Sequence, residues 1–78
     1  MSTAPLKRSL TLRGHRTSVS LEEPFWRAFK EIAQERGEPV NALAARIDAE
    51  RAEGTGLASA IRLHVLAHYV TRAEAQTP

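Results

Sequence analysis

Apolar and polar residues alternate with a period of two near the start of this chain, then switch to a period near 3.6. Leu10 and Leu12 alternate with Ser9, Thr11 and Arg13, and Val19 and Leu21 alternate with Ser18 and Ser20. Both stretches read as half-buried strands. A single strand cannot satisfy its own backbone, so the second stretch demands a neighbour: either the first stretch or the same stretch of another copy. Arg13-Gly14-His15-Arg16 between them fits a two-residue hairpin in which Gly14 supplies a positive φ. Pairing Arg13 with Arg16 sets Leu12 against Thr17 and Leu10 against Val19. The leucines and Val19 then share one face, and Ser9, Thr11, Arg13, Arg16, Ser18 and Ser20 the other.

A helix follows over about residues 23–36. Pro24 suits its first turn, Glu22 and Glu23 its positive end, and Gly37 its left-handed stop. Phe25, Trp26, Phe29, Ile32 and Ala33 form its apolar stripe, a spacing that argues for core packing over a stacking platform for single-stranded nucleic acid. A second helix is expected over residues 39–53, with Val40, Leu43, Ala44 and Ile47 on one side, ended by Gly54-Thr55-Gly56. The third, over residues 57–72, is apolar almost all round. Leu57, Ile61, Val65 and Tyr69 lie on one side and Leu63, Leu66 and Val70 on another. Such a helix must be covered twice, and a second subunit is the expected second cover. Residues 1–5 and 73–78 read as disordered tails around a single domain spanning 6–72.

Composition sharpens this outline. Seventy-eight residues make a marginal core, and with no cysteine the chain has neither disulfides nor thiolate metal ligands, which leaves oligomerisation. At 42% apolar and 26% charged it is a folding chain. No apolar run approaches the roughly 18–20 residues of a membrane span, and the first residues lack a signal-peptide core, so a cytoplasmic location is expected. Net charge is only +2, yet Lys7, Arg8, Arg13 and Arg16 lie in the first 21 residues, which hold no acid. The strands are therefore the electropositive end, where a polyanion would dock.

The order of elements resembles the ribbon-helix-helix family, the Arc/MetJ/CopG type of dimeric bacterial regulator and antitoxin. The matching residues are Thr17-Ser-Val-Ser-Leu21 as ribbon, 22–36 as first helix, Gly37 as turn glycine and Glu38-Pro-Val-Asn-Ala-Leu-Ala45 as the start of the second helix. It covers about residues 16–51, and is similar in particular to a small bacterial subgroup with an added C-terminal helix. The resemblance implies a mainly α homodimer around a short β-ribbon that reads the major groove of double-stranded DNA. Arg16, Ser18 and Ser20 would face base edges, with Lys7, Arg8, Arg13 and the helix start at Val40 and Asn41 on phosphates. Val19, Leu21, Phe25, Phe29, Ile32, Leu43, Ile47, Ile61, Val65 and Leu66 would fill the dimer core.

Glu38 and Pro39 depart from that pattern, one repelling a phosphate and the other removing a donor. If the first strand also pairs in each copy, the dimer carries four strands, roughly 14 Å between outer backbones, against a groove about 12 Å wide. Residues 57–63 read almost as well as the family's second helix; the spacing of Gly37 favours residues 40–53. His64 and His68, four apart, lack a third ligand, so no metal or cofactor is expected, and His15 reads as a solvated turn residue. No nucleophile, acid–base pair or phosphate loop is evident, so an enzyme is not expected. The alternative function is a dimeric protein-interaction module, adaptor or antitoxin-like, without DNA binding.

Overall fold

Two consecutive positive φ angles, 51° at Arg13 and 83° at Gly14, close the chain's first turn. This is the turn geometry that matches the twist of a tight hairpin. In the computed structural model, which describes residues 4–76, it joins β1 (Leu6–Leu12) to β2 (His15–Leu21) in an antiparallel pair. The register pairs Leu12 with His15, Leu10 with Thr17 and Arg8 with Val19. It lies two positions from the Arg13–Arg16 pairing expected from sequence. That pairing would have set two arginines opposite each other and placed His15 inside the turn, whereas the observed one keeps Gly14 at a left-handed position and separates the charges. An even shift leaves every side chain on its own face. Leu10, Val19 and Leu21 are accordingly buried and Leu12 half-buried.

Helix α1 (Glu23–Glu35) starts after the extended Glu22 with Pro24 in its first turn, and buries Phe29, Ile32 and Ala33. Gly37, at φ 66°, ends it. The Gly37 N–H donates to Gln34 and the Glu38 N–H to Ala33, which satisfies carbonyls the helix would otherwise leave open. Helix α2 (Val40–Glu50) buries Leu43, Ala44 and Ile47. It stops three residues short of the expected 53, because Gly54 at φ 86° and a Thr55 N–H to Ala52 bond draw residues 51–55 into a turn. Helix α3 (Leu57–Ala75) buries Ile61 and Val65 and runs three residues beyond the expected 72, with Arg72 paired to Glu35 at 2.7 Å. Ala4 and Pro5 are without regular structure; the rest of the expected tails, residues 1–3 and 77–78, lie outside the described residues.

The hairpin forms one layer and the helices the other, with α2 under β1 and α3 against β2. Phe29, Leu21, Ile32, Leu43 and Ile61 are the largest side chains with almost no exposure. Val19, Leu21, Phe29, Ile32, Leu43, Ile47, Ile61 and Val65 are covered within one copy, since β1 supplies the second strand that lets the hairpin cap all three helices. Phe25 is only partly buried, and Leu66 stands 57% exposed outside the core.

Candidate nucleic-acid interface

The hairpin's alternation turns Lys7, Ser9, Thr11, Arg16, Ser18 and Ser20 away from the helices, and all six are exposed. Across the strands Lys7 lies opposite Ser20, Ser9 opposite Ser18 and Thr11 opposite Arg16, so no like charges oppose. The face carries basic and hydroxyl groups and no carboxylate. Arg13 projects from the turn at one end. Lys7 and Arg16 stand about 13 Å apart along the face, four residues of strand rise.

Ion pairing separates these cations from the rest. Among the described residues, every arginine outside the outer face and turn is paired with a carboxylate. Arg8 and Arg27 meet Glu23, Arg36 and Arg46 meet Glu38, Arg51 meets Asp48, Arg62 meets Glu22 and Arg72 meets Glu35, at 2.7–3.7 Å. Lys30 lies 5.6 Å above the Trp26 ring. Lys7, Arg13 and Arg16 make no such pair. A field that is neutralised over the helices is therefore left open at the strands.

Three of the residues singled out from sequence lie off this outer face. Arg8 shares the inward face with Leu10 and Leu12; its side chain is 14% exposed, bonded to Glu23 at 2.8 Å and stacked 5.7 Å from Trp26. It packs α1 against β1 and is not presented with Lys7 and Arg16. Asn41 spends its Oδ1 on the Thr11 N–H at 3.0 Å, fastening the start of α2 to the edge of β1. Val40, the first residue of that helix, is half-buried beside it. Glu38 is offset by Arg46 at 2.7 Å and Arg36 at 3.7 Å, so the charge expected to repel a phosphate there is largely answered.

Sequence reasoning missed Arg62. Its guanidinium holds Glu22 at 2.8 Å and the Ser20 carbonyl at 3.2 Å, tying α3 to the end of β2. The Glu22 carboxyl is lowered below its ordinary value by its own backbone N–H first and Arg62 second. Forty residues separate Arg62 from Glu22, and no local pattern announces the contact.

His64 and His68 lie on α3, away from this face, whereas His15 begins β2 beside the turn. The Nε2 of His68 lies 3.4 Å from Glu35, and that of His64 has no partner. His64 is lowered below its ordinary 6.5 chiefly by burial, then by Arg36, Arg46 and His68, with Glu50 opposing. A depressed folded value means its contribution is complete above about pH 6.5 and is lost as pH falls below it. The melting temperature should fall between about pH 7 and pH 5, with a flatter profile for His64→Gln by circular dichroism; an unchanged profile would place the titrating group elsewhere. Among the described residues no cluster of three or more His, Cys, Asp or Glu is placed to hold a metal, and no helix is long and apolar enough to cross a membrane.

The sequence matches a known family, the ribbon-helix-helix domain, over residues 5–69. The chain belongs to the ribbon-helix-helix domain family. That assignment covers β1, β2, α1, α2 and most of α3, consistent with the expected ribbon-helix-helix fold plus a C-terminal helix. The solved structure of an uncharacterized protein from Bordetella pertussis Tohama I is 37% identical to this chain, with a TM-score of 0.79. The match covers 99% of this chain and 65% of the other, so this ribbon-helix-helix chain spans less than two thirds of that protein's length. No curated protein matches the sequence.

Proposed function

We propose that this ribbon-helix-helix chain is a DNA-binding regulator rather than an enzyme, and that two copies joined through β2 present the outer strand face to a duplex. The observation that carries the reading is the segregation of unpaired cations. Among the described residues, Lys7, Arg13 and Arg16 are the arginine and lysine charges left without a carboxylate or ring partner, and they lie with hydroxyl residues on one acid-free surface. Family membership supports it, since ribbon-helix-helix domains are typically dimeric DNA-binding regulators.

The choice of β2 follows from the edges. In this register the backbone groups of Lys7, Ser9 and Thr11 point out from β1 and those of Arg16, Ser18 and Ser20 out from β2. Asn41 closes the Thr11 position and α2 lies along that strand, whereas on β2 Arg62 takes one carbonyl and, among the described residues, the remaining outward groups stay unpaired. An open strand edge is a template for another strand. Two copies joined there form a sheet ordered β1-β2-β2-β1.

Four strands span roughly 14 Å between outer backbones against a groove about 12 Å wide, so the sheet seats its face across the groove instead of inserting as a narrow ribbon. The central pair then holds Arg16, Ser18 and Ser20 over base edges. Lys7 on the outer strands and Arg13 at the turns meet the phosphates. Arginine suits this place because its fork matches guanine bidentately.

The test is a salt-resolved binding selection against random duplex. Arg16→Ala should cost about 1–3 kcal/mol of discrimination at one base position in each half-site. An equal loss for all sequences would make Arg16 a phosphate contact. Failure of the wild-type dimer to bind any duplex near about 50 mM salt, where electrostatic binding is strong, would assign the fold to protein–protein contact instead.

A further inference from the structure

The tip of the hairpin overhangs the helices. Helix α2 stops at Glu50, and the chain turns through residues 51–55 before α3 begins at Leu57. His15 and Thr17 belong to the helix side of the sheet, opposite Leu12 and Leu10, yet both are exposed. Val19 and Leu21, further along the same side, are buried. The gap left under the tip is a cleft of about 370 Å³, within the roughly 300–1,000 Å³ of small-molecule sites.

Its lining combines two chemistries. Leu12 from the sheet, Ala45 from α2 and Leu57 from α3 are half-buried and give it an apolar surface. Arg13, His15 and Thr17 add a guanidinium, an imidazole and a hydroxyl, all able to donate hydrogen bonds. Asp48 and Arg51 also line it, but they meet each other at 2.8 Å and cancel. Arg13 has no carboxylate partner among the described residues, so the cleft holds one uncompensated positive charge beside apolar surface. The cleft along α3 differs, because its Arg36 and Arg72 are held by Glu38 and Glu35.

We infer that the cleft under the hairpin tip binds a small organic acid, a single carboxylate on a compact apolar body, and that this ligand competes with DNA for Arg13. One negative charge matches the one free cation, and the guanidinium fork fits a carboxylate bidentately. A phosphate dianion would exceed that charge and face Asp48, and it has no use for Leu12, Ala45 and Leu57. The competition rests on the DNA reading above; the binding site does not. A ligand that takes Arg13 from a phosphate weakens duplex binding, and by linkage the duplex weakens the ligand equally.

The experiment titrates the ¹⁵N-labelled full chain with benzoate and hexanoate, and with benzamide and inorganic phosphate for comparison. Either acid should move the amide signals of Leu12, Thr17, Ala45 and Leu57 and saturate them with a Kd of about 1 mM or tighter. Benzamide, which has the shape of benzoate without its charge, should bind at least about 10-fold more weakly. Ala45→Leu fills the cleft from α2 and should abolish acid binding while leaving duplex affinity unchanged in the absence of acid. Arg13→Asn should weaken benzoate about 10-fold and leave benzamide as it was, a test that stands even if the leucine variant fails to fold. Saturating benzoate should lower duplex affinity relative to the same concentration of chloride, and Ala45→Leu should remove that difference. No response at these residues to either acid overturns the site, whether the cleft is empty or filled by a second copy. Phosphate that moves the same signals as strongly overturns the organic-acid assignment. An acid bound in the cleft with duplex affinity unchanged overturns the competition alone. Acid binding by a chain that binds no duplex leaves the cleft standing and removes the DNA reading.

Discussion

Replacing Phe29 with alanine should destabilise the fold by about 3–5 kcal/mol. Phe29 has no exposed surface and sits among Leu21, Ile32, Leu43 and Ile61, each equally closed. A chain of this length has roughly 4–12 kcal/mol of stability in total, at about 0.05–0.15 kcal/mol per residue. The loss is therefore a large part of the whole, and the variant should be substantially unfolded at moderate temperature. Urea titration at several protein concentrations checks both size and origin. If the core belongs to one copy, the loss is the same at every concentration. A deficit that shrinks as concentration rises would put Phe29 between subunits, and a loss below about 1.5 kcal/mol would mean the site refills or is less tightly packed.

That concentration test bears on what the sequence could and could not reveal. Periodicity marked Phe29, Ile32, Leu43, Ile61 and Val65 as buried, and all are. Periodicity does not say what buries them. The hairpin provides the cover within one chain, and its contribution depends on β1 extending back to Leu6, through Lys7 and Arg8, which by sequence read as phosphate contacts. The inward position of Arg8 was legible in its even spacing from Leu10 and Leu12. Charge alone suggested an anion contact, whereas Glu23 and Trp26 hold it. Helix α1 was readable almost to the residue, because Pro24 and Gly37 mark its ends chemically. The end of α2 was not, because the turn at Gly54 takes its last expected turn. Hairpin register depends on competing turn geometries two residues apart, which leave the same faces and so the same pattern. The candidate face itself, Arg16 with Ser18 and Ser20, was visible from alternation; its freedom from ion pairs was not, since that depends on where nine carboxylates from distant elements come to rest.

The largest effect on binding should come from Lys7→Gln combined with Arg13→Asn. Asparagine is chosen because Arg13 sits at φ 51°, a left-handed value that asparagine tolerates better than most residues. Neither side chain makes an ion pair, so thermal stability should stay within about 0.5 kcal/mol of wild type. In a dimer the pair of substitutions removes four cations. If each neutralises a phosphate, the slope of log affinity against log salt becomes shallower by about 3–4, and affinity falls for every duplex alike. Fluorescence anisotropy on one preferred and one scrambled duplex, across a series of salt concentrations, separates the cases. Parallel losses with a reduced slope identify backbone contacts at the edges of the sheet. A loss confined to the preferred duplex would make Lys7 or Arg13 a reader of bases and move the centre of recognition from Arg16 to the hairpin tips. An unchanged slope would mean that neither cation reaches DNA, and the acid-free face would then have to serve a different anionic partner.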